Sequence, residues 1–277
     1  MNLAFITPTR CINLFGNQGD FHLGLSHLMD RYTENEYERA LRESGLPIIL
    51  DNGLFENHNP EGIDPLLTKA IRIKATHFFA PDVLYDAKGT LMALHNTLYV
   101  MDQRLLMGKV KVAAVVQGKT ESEFFELYDQ YQSIPEVELI GLSILAIPRC
   151  FGSWNESPHK KSEIYQHNDE EIVPTRIKVL KKLLERGNNH KPVHLLGLGS
   201  SYEDVIFAKE NCPFVVSNDT SSCFQNGLKG RRIIGDTLQV EGGKVKEKVN
   251  FDLRSIKRKQ ADLIQENINQ VKSVLCK

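Results

Sequence analysis

The chain has 277 residues, 41% of them hydrophobic and 25% charged, enough to bury a full core, so disorder is set aside and one large α/β domain fits better than several small ones. Its net charge of -1 excludes the easy electrostatic case for a nucleic-acid binder, so a polyanionic partner would have to be met by a local patch. No stretch approaches the roughly 18 apolar residues of a membrane span, and the opening MNLAFITPTR meets a charge before a secretory apolar segment could form, so an intracellular protein without membrane contact is expected.

Taken in chain order, short apolar runs alternate with segments of helical periodicity, the pattern of repeated βα units. The first run, 3–7, is followed by a predicted helix over 21–30. Runs at 47–50, 77–80 and 110–116 are followed by predicted helices over 62–73, 87–106 and 120–132, the last with Thr120 placed to cap and Glu123 three residues on. After the run at 139–144 comes a connection over 148–171 carrying Trp154, His159, Lys160 and Lys161. It exceeds ordinary barrel loops and reads as a lid, a DNA-binding insertion or a linker. A helix over 172–186, a run at 193–198, a helix over 201–209 and a run at 214–216 follow. Ile233 and Ile234, or the segment before them, are left to supply an eighth strand, and 252–275 reads as a final helix with apolar residues at Ile256, Leu263, Ile264, Ile268, Val271 and Leu275. That helix could close the barrel or form an interface, so an oligomer is open. No GxGxxG follows the first run, and about eight strands at this length favour closure over a doubly wound sheet. The expected fold is a single-domain (β/α)8 TIM-type barrel.

The five cysteines, Cys11, Cys150, Cys212, Cys223 and Cys276, are scattered and form no CxxC pair. Neither disulfides nor a zinc site are expected.

In such a barrel the chemistry gathers where strands end. The runs end in Asp51-Asn52-Gly53-Leu54-Phe55-Glu56, Pro81-Asp82, Gln117-Gly118, Gly141-Leu142-Ser143, Gly197-Leu198-Gly199-Ser200 and Ser217-Asn218-Asp219-Thr220. Any one acid here could be a helix cap, but together they bring three carboxylates, an amide and several glycines to one mouth. Paired carboxylates suit glycosyl transfer, in which one attacks an anomeric carbon while the other protonates the leaving group. An amide and a third acid could read a purine edge, and glycines let a ring approach backbone atoms. Phe55 could stack on a base, although a core position is the commoner fate of a phenylalanine. His77 and His194, beside apolar strands, read as satisfied structural residues, and Cys223 as a small buried one.

These residues resemble the tRNA-guanine transglycosylase superfamily, from about the second run to Gly227. Asp51-Asn52-Gly53-Leu54-Phe55 is similar to the family's acid-led, aromatic-closed stretch, Asp82 to its base-reading aspartate, and Val116-Gln117-Gly118 and Gly141-Leu142 to its Val-Gln-Gly and Gly-Leu elements. The most specific match is His194-Leu195-Leu196-Gly197-Leu198-Gly199, the strand before the nucleophile. The resemblance implies Asp219 as nucleophile, Asp51 as general acid and base, and a base held by Phe55, Asp82, Gln117, Gly141 and Leu142. The family's zinc subdomain and the Pro-Thr-Arg after the nucleophile have no counterpart, and apolar residues around Ala146 replace the acid that closes the bacterial Gly-Gly-Leu motif. Those departures, and Phe21-His22-Leu23-Gly24-Leu25 ahead of Ile49 to Gly53, are most similar to the phage 7-deazaguanine DNA transglycosylases, the DpdA group. The implied partners are DNA, or tRNA in the classical branch, and a 7-deazaguanine base, with no cofactor. Phosphates would meet Lys229, Arg231 and Arg232, or the run from Arg254 to Lys259. A non-catalytic nucleic-acid-binding barrel subunit is the alternative of a different class.

Overall fold

A computed structural model describes residues 1–57, 60–152, 169–198, 201–242 and 255–276. Eight strands, β1 (Asn2–Phe5), β2 (His22–Leu25), β3 (Ile48–Asp51), β4 (His77–Phe79), β5 (Lys111–Val115), β6 (Val137–Ser143), β7 (Val193–Leu196) and β8 (Val215–Thr220), form one parallel sheet. Their order is β1, β8, β7, β6, β5, β4, β3, β2. The helices are α1 (Ile12–Phe15), α2 (Glu36–Glu43), α3 (Leu54–Asn57), α4 (Ile63–Arg72), α5 (Ala87–Gln103), α6 (Glu121–Ser133), α7 (Ala146–Phe151), α8 (Asp169–Arg186), α9 (Glu203–Asn211), α10 (Ser222–Leu228) and α11 (Arg258–Leu275). This is the (β/α)8 barrel that the alternation of runs predicts.

The ladder is continuous from β2 round to β1, and the ring closes between those two without one. There the Leu3 amide donates to Asp20 Oδ2 at 2.8 Å, and the Asp20 amide to the Leu3 carbonyl at 2.8 Å. Two apolar layers follow from the strand alternation. Ala4, Phe21, Leu23, Ile49, Phe79, Ala113, Val115 and Leu139 fill the barrel interior, while the opposite strand faces and the helices share the larger outer core.

Two expected elements are corrected. The segment 21–30 is not a helix but holds β2, with all four of its residues buried. Phe21 and Leu23 point inward and Gly24 faces outward, where an added Cβ would meet Met29, Leu41 and Ile48 at 3.3–3.4 Å. Ile233 and Ile234 are not the eighth strand; they form a two-residue pairing, β9, with β10 (Gln239–Val240). The connection at 148–171 is partly helical, ending α7 and opening α8, and Trp154, His159, Lys160 and Lys161 lie outside the described residues, as does Arg254. Thr120 caps α6 by accepting from the Glu123 amide at 3.2 Å, while the Glu123 side chain accepts from the Lys119 amide at 2.7 Å.

The final helix begins at Arg258 rather than 252 and lays Ile264, Ile268, Val271 and Leu275 into the core. Its crossing with α10 is close because of Gly227. A Cβ there would stand 2.5 Å from Ile264 Cγ1 and 3.0 Å from Ile264 N and Cα.

Candidate active site

The polar strand ends converge on the carboxyl face of the barrel, and three groups can be built up there. The first is on β3. Asp51 is its last residue, half-buried, and its Oδ2 accepts from the Gly53 amide at 2.9 Å. Gly53 makes that turn with φ +78, a left-handed conformation that glycine adopts without strain. The turn starts α3, on which Phe55 is 39% exposed, so its ring is not simply core.

The second group is a buried network. Asp82, beyond the end of β4, is 2% exposed. Its Oδ1 accepts from Asn52 Nδ2 at 2.7 Å and its Oδ2 from Gln117 Nε2 at 2.5 Å. Asn52 also donates to the Ala80 carbonyl at 2.9 Å, and Gln117 Oε1 accepts from the Tyr85 amide at 3.0 Å. Loss of water pushes the Asp82 carboxyl up to about 6, against the two amide hydrogen bonds that favour its charged form. The acid is thus poised near neutrality, where a small change in its surroundings decides its charge.

The third group surrounds Asp219 on β8, a residue 2% exposed. Its Oδ1 takes two hydrogen bonds, from His194 Nε2 at 3.0 Å and from the Gly197 amide at 3.0 Å. Among the described residues its Oδ2 receives none. His194 Nδ1 lies 2.8 Å from Ser217 Oγ. When Asp219 is ionised it can only accept, so Nε2 carries the ring proton, and in the neutral ring Nδ1 accepts from the Ser217 hydroxyl. His194 is walled by the rings of Phe21 and Phe79, with centroids 5.9 and 5.8 Å away.

His194 is the satisfied, fully buried histidine expected from its strand, and one of its two partners is Asp219. A single strand cannot reveal which neighbour its inward face will meet. The available signal was period two, which turns His194 inward with Leu196, on the strand that precedes the one bearing Asp219. His77 stands at the other end of its strand, with Nδ1 3.2 Å from Thr76 Oγ1. Cys223 is fully buried, and burial pushes its thiol well up.

Gly141 lies in the middle of β6, where a Cβ would come within 2.8 Å of Phe79 Cε1 and 2.9 Å of Leu196 Cδ1. Its carbonyl accepts from the Val116 amide at 3.0 Å, and Leu142 is buried in the outer core. The absence of a side chain at 141 thus has a packing reason of its own. Lys229, Arg231 and Arg232 follow the seven-residue α10, which separates them from the strand end by about 10 Å of helix. The Arg231 guanidinium donates to the Gly242 carbonyl at 3.2 Å, and Arg232 pairs with Glu266 at 3.1 Å in an exposed ion pair. Among the described residues no three His, Cys, Asp or Glu side chains are grouped to hold a metal ion, and no helix is long and apolar enough to cross a membrane.

The fold and mouth define a (β/α)8 barrel with acids at the carboxyl ends of β3 and β8. No family model matches the chain, and no curated protein matches it. A solved structure described as a HpcH/Hpal aldolase/citrate lyase family protein from Burkholderia cenocepacia J2315 is similar at 10% identity and TM-score 0.45, over 79% of this chain and 87% of that chain. A likeness that weak transfers no chemistry between the two.

Proposed function

We propose that the protein is a base-exchange glycosyltransferase that replaces guanine in DNA with a 7-deazaguanine such as the 7-cyano form. The observation that carries this reading is Asp219: a buried carboxylate with one oxygen held by His194 and the Gly197 amide, at the same barrel face as a second acid, Asp51. A carboxylate fixed through Oδ1 presents Oδ2 as a nucleophile of defined direction, the requirement for attack at an anomeric carbon.

In this mechanism Asp219 Oδ2 bonds to C1′ as the bond from C1′ to guanine N9 breaks, and Asp51 delivers a proton to the departing base. The deazaguanine then gives its N9 proton to Asp51 and forms the new bond to C1′, releasing the Asp219 carboxylate. Phe55 offers a stacking face, and Asp82 and Gln117 serve the base edge, while Gly141 and Leu142, whose strand is laddered on both sides, shape the wall rather than contact the base. The target base must leave its stack to reach such a site, and Lys229, Arg231 and Arg232 supply phosphate contacts.

The test is transfer of radiolabelled guanine into duplex DNA, single-stranded DNA and bulk tRNA, with competition by 7-cyano-7-deazaguanine. The expected outcome is ping-pong incorporation into DNA that disappears in Asp219→Ala and Asp51→Asn proteins. Label in tRNA alone would reassign the acceptor, and no label in any polynucleotide would reject the reading.

A further inference from the structure

Arg176, on α8, is a fully buried arginine, and its ion-pair partner Asp204, on α9, is equally buried. The guanidinium lies 2.9 Å from Asp204 Oδ2, in a geometry that is an ion pair rather than an aligned hydrogen bond. Its directed hydrogen bonds go elsewhere. Nη2 donates to the Leu196 carbonyl at 2.8 Å and to the Gly197 carbonyl at 3.3 Å, and Nη1 donates to the Gly197 carbonyl at 3.1 Å. A buried charge pair of this kind adds little net stability against an apolar replacement, so its aim at two consecutive carbonyls calls for another reason.

The Leu196 carbonyl and the Gly197 amide belong to one planar trans peptide and point in opposite directions. Arg176 holds the oxygen end of that peptide, and the N–H end donates to Asp219 Oδ1 at 3.0 Å. A cation on the carbonyl polarises the peptide and strengthens the hydrogen bond from its amide. It also fixes the plane at a point where the chain needs fixing, because Gly197 has φ +70 and leaves the strand with the freedom of glycine. Asn218 Nδ2 steadies the same segment, donating to the Leu195 carbonyl at 2.8 Å and the Gly197 carbonyl at 3.3 Å.

We propose that Arg176 is a positioning residue for Asp219, acting through the single peptide between Leu196 and Gly197, with Asp204 holding the guanidinium in place. The kinetic consequence rests on the reading of Asp219 as the nucleophile; the structural consequence does not.

The experiment uses the full chain labelled with 15N-glycine, as wild type, Arg176→Lys, Arg176→Met and the double variant Arg176→Met/Asp204→Leu. The double variant removes both buried charges together, so it keeps a folded protein for comparison if Arg176→Met, with an unpaired buried acid, does not fold. The Gly197 amide proton is expected to move upfield and exchange faster with solvent in the double variant, with an intermediate shift in Arg176→Lys, which keeps the charge but loses the fork. In the guanine-transfer assay, kcat is expected to fall by up to about 100-fold with KM for the polynucleotide unchanged, the cost of a reacting group held slightly out of place. An unmoved Gly197 resonance in the folded double variant overturns the proposal, as does an unchanged kcat in an active enzyme. If the wild type transfers no guanine, the resonance alone decides, so failure of the proposed reaction and failure of this inference are told apart.

Discussion

Burial raises the Asp82 carboxyl to about 6 and lowers the His22 imidazole, whose Nε2 lies 2.8 Å from Ser44 Oγ, to about 4. The two shifts act on stability with opposite sign. Between about pH 4 and 6 the unfolded chain has lost the Asp82 proton that the native protein keeps, so stability falls as pH rises through that window. Between about pH 6.5 and 4 the unfolded chain has gained a His22 proton that the native protein refuses, so stability falls as pH drops. Each effect is on the order of 3 kcal/mol at full development. Urea unfolding from pH 4 to 7 should show a shallow profile for the wild type, a rising one for Asp82→Asn and a falling one for His22→Gln. Slopes are the readout, because Asp82→Asn also turns an amide N–H₂ towards donors on Asn52 and Gln117. At this scale the placement of Asp51, Asp82, Gln117 and Asp219 at the mouth was legible, because in a barrel the end of an apolar run is the carboxyl end of a strand. The contacts of His194, Arg176 and Asp204 were not, since each acts on a residue from another strand or helix.

Among the elements, β1, β3 to β8 and the helices α4, α5, α6, α8, α9 and α11 were legible from periodicity, whereas β2, α2, α7 and α10 were not. Phe21, Leu25 and Leu28 sit at helical spacing while Phe21, Leu23 and Leu25 sit at strand spacing, and burial on both faces, visible only in the assembled barrel, decides for the strand. The crossing of α10 and α11 was equally hidden, because nothing in sequence pairs Gly227 with Ile264. Gly227→Ala should cost about 1–3 kcal/mol, since the new methyl meets backbone as well as side chain and α11 must retreat. A drop in the thermal midpoint with retained helical circular dichroism checks this, and an unchanged midpoint would mean that the helices part freely. Gly141→Ala should cost a similar amount, about 1–3 kcal/mol, by forcing Phe79 and Leu196 from their places in the barrel interior.

For the whole molecule, closure depends on Asp20 rather than on a ladder. Removing its carboxylate in Asp20→Ala should cost about 1–3 kcal/mol, because it leaves the buried Leu3 amide without its acceptor, and should speed hydrogen exchange at the Leu3 amide more than at amides of the β5–β6 ladder. Equal exchange at both would show that the Asp20 carboxylate adds nothing to the backbone hydrogen bond and packing between β1 and β2. The chain order around the barrel puts this junction in a particular place: β8 lies beside β1 and β3 beside β2, so Asp219 and Asp51 stand one strand away on either side of it. The one seam of the hoop without a ladder is thus flanked by the two strands that carry the acids, and a crosslink from β1 to β2 would rivet the hoop at the place that sets their spacing.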